Sequence, residues 1–274
     1  MFKSIVLFLF VSIAWAIGLY ELVDIFRHFS EQWHWYVIAT VYTIIVNEIF
    51  VHRICGHINR ERPINTNTWT YKILVFLVSV DHAYGPVSSM CLLHNNHHAY
   101  ADKQHDTLNY RTTGYTNCIL SPLVFLANTA IDFPNKVEYL AKQQQIYSNI
   151  LEDNWTVFCE NYKIPLTIIF WTVLYFVFPI ILFKVIFVGR VIISVLAGWS
   201  NVLGHMKLPF GYKNFNNNNT TYNHLILYYL TFCLFNAMLH NNHHGIKNIN
   251  VYSVRWFEFD LSKYVVKLLT TLMK

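Results

Sequence analysis

LLHNNHHAYADKQHD, residues 92–106, gathers four histidines and two aspartates in a chain that is 54% hydrophobic and only 13% charged. Nearly the same string, LHNNHH, returns at residues 239–244. On a helix with about 100° between successive residues, His94 and His98 lie about 40° apart, and His97 about 60° to the other side of His94. Adjacent histidines then aim about 100° apart, which lets one helix serve two separate metal ions. His240, His243 and His244 repeat that geometry.

The surroundings of these clusters are apolar. The 274 residues include 17% aromatics, and a positive mean hydropathy with long apolar runs reads as an integral membrane protein folded as a single domain over residues 1–274. The five cysteines, Cys55, Cys91, Cys118, Cys159 and Cys233, are odd in number, contain no CxxC pair and sit in or beside apolar stretches, so they read as buried thiols. A net charge of +5 without a Lys/Arg block argues against nucleic acid as a partner.

A membrane span needs about 20 apolar residues. Four segments come close: 2–23, 35–51, 164–183 and 185–204. The first also resembles a signal peptide, with Lys3 ahead of the apolar core and Ala14-Trp15-Ala16 as a small-residue site, although its apolar run continues to Val23. Seventeen of the twenty Lys and Arg fall at Lys3, between His52 and Lys163, or after His205, which places those regions on the cytoplasmic side. The expected fold is therefore all-α: four transmembrane helices as two hairpins, with a cytoplasmic helical cap from residues 52–163 and 205–274. Residues 68–93 read as a membrane-embedded or interfacial helix, 212–223 as a polar loop, and 225–239 as a further apolar helix.

Nine of the fourteen histidines fall where apolar helices meet the expected cytoplasmic face: His52, His57, His94, His97, His98, His205, His240, His243 and His244. Neutral imidazole is the commonest protein metal ligand and suits iron, zinc, copper and nickel. Nine imidazoles exceed what one ion holds, so two ions are implied. Asn201 shares a helix face with His205. His52 and His57, five apart, would point about 140° apart on an α-helix, so the helix is expected to end or unwind near Gly56. Asp102 and Asp106 are open to three readings: ligands, groups that fix imidazole tautomers from behind, or an ordinary solvated turn. His28, His34, His82 and His224 read as interfacial polar residues.

Taken together, HRICGH (52–57), HNNHHAYADKQHD (94–106), NVLGH (201–205), HNNHH (240–244) and the trailing VRWFEFD (254–260) resemble the membrane fatty acyl desaturases of the stearoyl-CoA type, from about Thr40 onward. The resemblance implies a non-haem centre of two iron ions (Fe2+) without bridging carboxylates. One iron would take His52, His57, His94, His98 and His243. The other would take His97, His205, His240 and His244, with Asn201 holding a water. No catalytic residue separate from the metal centre is implied. The sequence departs from the family pattern at Asn95, where arginine is usual, at Thr107-Leu108 in place of Pro-His, and at Met90 near a usual tryptophan.

The activity so implied is insertion of a cis double bond into a long acyl chain, using dioxygen and two electrons. The substrate would be an acyl-CoA or another acyl carrier. Because the chain has no His-Pro-Gly-Gly haem motif, the electrons would come from an external donor of cytochrome b5, ferredoxin or rubredoxin type. Ala39 and Thr40, about 18 Å from the metals along the second span, are candidates for the end of an acyl tunnel in the bilayer, or for close packing against a neighbouring span. Two other readings compete: a lipid hydroxylase or ketolase with the same centre, and a histidine-rich membrane metal transporter.

Overall fold

A computed structural model describes residues 41–59, 62–81, 87–103, 146–178, 180–216, 220–230, 238–246 and 251–274, with 33, 34, 37, 38, 106 and 111 as isolated positions. The side chains of residues 188–198 and 201, among a few others, lie outside the description. The architecture is helical. A π-helix, Ile44–Ile58, is followed by α1 (Trp69–Asp81), α2 (Val87–Tyr100), α3 (Asn154–Asn161), α4 (Lys163–Val177), α5 (Ile180–Gly204), α6 (Leu225–Leu230), α7 (His240–Gly245) and α8 (Ser262–Leu272).

Local chemistry sets the ends of these helices. The Thr68 hydroxyl accepts from the Tyr71 N–H at the start of α1, and the Asp153 carboxylate caps α3 by accepting from the Thr156 N–H. α4 stops because Phe178 precedes Pro179, which disfavours helical backbone there, and Phe178 is extended.

The π-helix is the hub, packed against α1, α2 and α8. Its Ile49, Phe50, Val51, Ile54 and Cys55 are buried with Tyr71, Val75 and Val78 of α1, Cys91 of α2, Tyr147, Leu239, Tyr252 and Val266. Residues 69–81 thus form a helix with one face in this core, while Trp69 and Ile73 are exposed. A smaller apolar cluster joins α4 and α5 through Leu174, Leu182, Val185 and Ile186. Within the expected 212–223 loop, Tyr212 and Asn223 pair in antiparallel fashion, and Asn223 pairs in turn with Leu239. Cys55, Cys91 and Cys159 are buried free thiols.

Among the described residues no helix is long and apolar enough to cross a membrane. This overturns the four-span architecture, the multi-pass localisation and the cytoplasmic sidedness inferred from it. Residues 2–23 lie outside the described residues. The segment 35–51 runs into a π-helix that buries Asn47, Glu48, His52 and Arg53, so its polar groups face protein. α4 has 15 residues, about 22 Å at 1.5 Å per residue against the roughly 30 Å of a hydrocarbon core. Its apolar run emerges as an exposed outer face, with Ile164, Ile168, Ile169 and Phe176. α5 carries Lys184 and Arg190 inside its apolar run.

Candidate metal centre

Four parts of the chain supply the nine histidines. His52 and His57 come from the π-helix, His94, His97 and His98 from α2, His205 from the turn after α5, and His240, His243 and His244 from α7. The π-helix solves the spacing problem of the first pair. Hydrogen bonding from i to i+5 brings residues five apart back to one face, and the two rings lie 5.6 Å apart. The expected break near Gly56 is absent, since the π-helix continues to Ile58. Gly56 instead lets α2 approach: a Cβ there would sit 3.1 Å from Cδ2 of His94.

The ring nitrogens converge in two adjoining groups. His52, His57, His94 and His243 form one, and His97, His205, His240 and His244 the other, each with its ligand atoms within 4.8 Å of one another. His98 stands between, grouped with His243 and His244. Its Nε2 lies 2.8 Å from that of His243 and 3.1 Å from that of His94, while its ring stacks on His244 at 4.2 Å. Other Nε2–Nε2 separations are 2.6 Å for His57–His94, 3.2 Å for His97–His244 and 3.0 Å for His205–His240. Nitrogens about 2.0–2.1 Å from a shared ion stand roughly 3 Å apart, so each group fits one ion. The groups contain no cysteine and no carboxylate.

The opposite ring nitrogens are held from behind. His52 Nδ1–H donates to Glu48, His97 Nδ1–H to Asp106 and His205 Nδ1–H to Asp102, each at 2.9 Å. An ionised carboxylate only accepts, so the proton sits on Nδ1 and the Nε2 lone pair faces the group. His243 Nδ1 meets the Tyr252 hydroxyl at 3.0 Å. Of the three readings open for Asp102 and Asp106, the geometry selects tautomer fixing, for neither belongs to a ligand group. Asp106 also accepts from the Asp102 N–H, and Asp102 from the Thr220 N–H. Asp102 adopts the left-handed conformation, with φ 64°.

Electrostatics favour uncharged rings. Burial, followed by neighbouring imidazoles, pushes His94, His98, His243 and His244 well below the ordinary histidine value, which leaves them neutral and ready to bind metal. Burial likewise lowers His205, opposed by the hydrogen bond to Asp102. Burial would raise Asp102, but the bonds from His205 and Thr220 prevail and hold it well below the usual carboxylate range.

The asparagines between the histidines brace the site. Asn95 Nδ2 donates to the carbonyls of Gly56 and Cys91 and to the Tyr147 hydroxyl, tying α2 to the π-helix. Asn241 Oδ1 accepts from the N–H groups of Asn214 and Phe215. Asn242 Nδ2 donates to Glu258 and to the Tyr252 carbonyl. Asn201 lies on α5 one turn before His205, with its side chain outside the described residues, and Ala39 and Thr40 lie outside them altogether.

Sequence reasoning missed Glu48 and Tyr252. Glu48 left a signal, a carboxylate four residues before His52 in an apolar run, whereas Tyr252 sits in irregular structure with no period to mark it. No family profile matches this chain, and no curated protein sequence matches it.

Proposed function

We propose that the chain is an oxidoreductase in which two histidine-held iron ions activate dioxygen to desaturate a long acyl chain. Two adjoining all-imidazole groups, each backed by hydrogen bonds that fix the metal-binding tautomer, are the observation that carries this reading. An all-nitrogen donor set suits iron, zinc, copper or nickel, and the sequence resemblance selects iron. When bound, such a pair supplies dioxygen activation and hydrogen abstraction from unactivated methylenes.

The reaction balances as acyl CH2–CH2 plus dioxygen, two electrons and two protons, giving a cis CH=CH and two waters. The electrons come from an external donor protein. His52, His57, His94, His98 and His243 hold one ion, and His97, His205, His240 and His244 the other. Glu48, Asp102, Asp106 and Tyr252 hold the rings in orientation. Burial of seven of these nine histidines, with His98 and His244 partly covered, keeps bulk water from the nitrogens.

The test has two arms. Purified protein should carry close to two irons per chain, falling in His97→Ala and in His243→Ala. Expression in a host lacking its own desaturase should yield acyl chains lighter by two hydrogens, with both variants inactive. Chains heavier by one oxygen would replace desaturation with hydroxylation. Full product formation in His243→Ala would overturn the centre itself.

A further inference from the structure

α8 is anchored on one face and open on another. Ser262, Val266 and Leu269 are buried, and the helix packs on the π-helix. At about 100° per residue, Lys263, Lys267 and Thr270 fall within about 60° of one another on a different face. They line a cavity of 530 Å³ together with Arg62-Pro63-Ile64. Val251, Tyr264, Met273 and Lys274 complete most of the lining.

The walls are fixed before any ligand arrives. The Ile64 N–H donates to Asn59 Oδ1 and the Ile64 carbonyl accepts from Asn149, both at 2.9 Å. The Asn65 N–H donates to the Met273 carbonyl at 3.2 Å, and Asn65 Nδ2 to the Lys274 carbonyl at 3.0 Å, so the two segments are hydrogen-bonded to each other.

The described charged side chains of this cavity are all basic. Among the described residues Arg62, Lys263, Lys267 and Lys274 line it and no Asp or Glu side chain does, and none of the four forms an ion pair with a described side chain. Lys263 and Lys267, one turn apart, repel and slightly weaken the helix that carries them. Folding does not require that arrangement, and an anion would relieve it.

We propose that this cavity binds a phosphate-bearing nucleotide, with a nucleoside diphosphate as the minimal ligand. Arg62 offers a planar fork that pairs two phosphate oxygens at once, and Lys263 and Lys267 supply point charges from α8. The volume falls in the range of small-molecule sites, about 300–1,000 Å³, and is more than a lone phosphate needs. Ile64, Val251 and the exposed Tyr264 ring give a base and ribose an apolar and aromatic surface, on which a base can stack. The cavity shares no residue with the metal centre, so this proposal and the oxidoreductase reading stand or fall separately.

Calorimetric titration of the 274-residue protein with ADP, pyrophosphate and adenosine tests it. ADP should bind saturably and more weakly as salt rises. Pyrophosphate should bind at least about tenfold more weakly and adenosine more weakly still. The double variant Lys263→Glu/Lys267→Glu and the single variant Arg62→Ala, on separate segments, should each lose at least about tenfold in ADP affinity. Lys72→Glu, on α1, should lose none. Absence of saturable ADP binding, or unchanged affinity in Arg62→Ala, would overturn the site. Equal affinity for ADP and pyrophosphate would overturn the nucleotide assignment and leave only a basic patch.

Discussion

His205 illustrates how a buried imidazole that could hold a metal is set by the atoms behind it. Its Nδ1 proton is fixed by Asp102, and Asp102 is itself held by the backbone and hydroxyl of Thr220. The outer partners differ between the two groups: Asp102 and Asp106 stand behind one, Glu48 and the uncharged Tyr252 behind the other. Carboxylates raise imidazole basicity, and loss of such a partner typically weakens metal binding by about 10–100-fold. On the proposed dimetal reading, Asp102→Asn should therefore weaken metal binding in its group by about that factor, while Tyr252→Phe, which removes no charge, should have a smaller effect. Chelator competition against Co2+-loaded protein, followed by visible absorption, measures both. Equal losses would show that carboxylate charge is not what matters there.

At the scale of elements, helical period explains what was legible. The separation of His97 from His94, and of His243 from its neighbours, follows from 100° per residue, because α2 and α7 are ordinary helices. The same rule failed for His52 and His57, since it presumes an α-helix where the backbone adopts π geometry. Hydropathy failed for a different reason. It registers the length of an apolar run but not whether the run faces a protein core, as with residues 44–51, or is cut short by a proline, as at Val177. Close approach between elements left only glycines as its trace. A Cβ on Gly204 would overlap the His240 ring, so Gly204→Ala should displace that imidazole and, on the proposed dimetal reading, reduce bound metal from two ions toward one. Gly56→Ala, with a 3.1 Å contact to His94, should be milder. Metal analysis of the two purified variants ranks them, and full loading of Gly204→Ala would show that α7 can shift to make room.

The whole molecule is closed by Arg53. Its guanidinium donates to both carboxylate oxygens of Asp260, at 3.0 and 2.8 Å, and to the Ser262 hydroxyl, and it lies 4.4 Å from the Tyr252 ring. Arg53 and Asp260 are fully buried, so Arg53→Met, which strands the carboxylate, should cost about 3–5 kcal/mol. Burial would raise the Asp260 carboxyl, but Arg53, Ser262 and the Tyr252 N–H hold it below its ordinary value. Glu258 is lowered in the same way, by Tyr212, the N–H groups of Arg255 and Val254, and Asn214, against its burial. A depressed folded value means that the stability is fully present above the unfolded value, about 4, and is lost as pH falls through the folded one. Urea unfolding between about pH 7 and pH 3 should show this decline. Asp260→Asn should start lower and fall less steeply, and a parallel decline in that variant would assign the acid loss to other groups.

The distance in sequence between partners also sets a schedule. His98 meets His243, 145 residues later. At about 5–20 residues per second of synthesis, roughly 7–29 s separate the making of the two. Throughout that interval the early histidines exist without the α7 side of their cage. On the proposed dimetal reading, a cation that reaches them in that interval meets an incomplete cage, and the metal finally enclosed would depend on the order of delivery as well as on affinity.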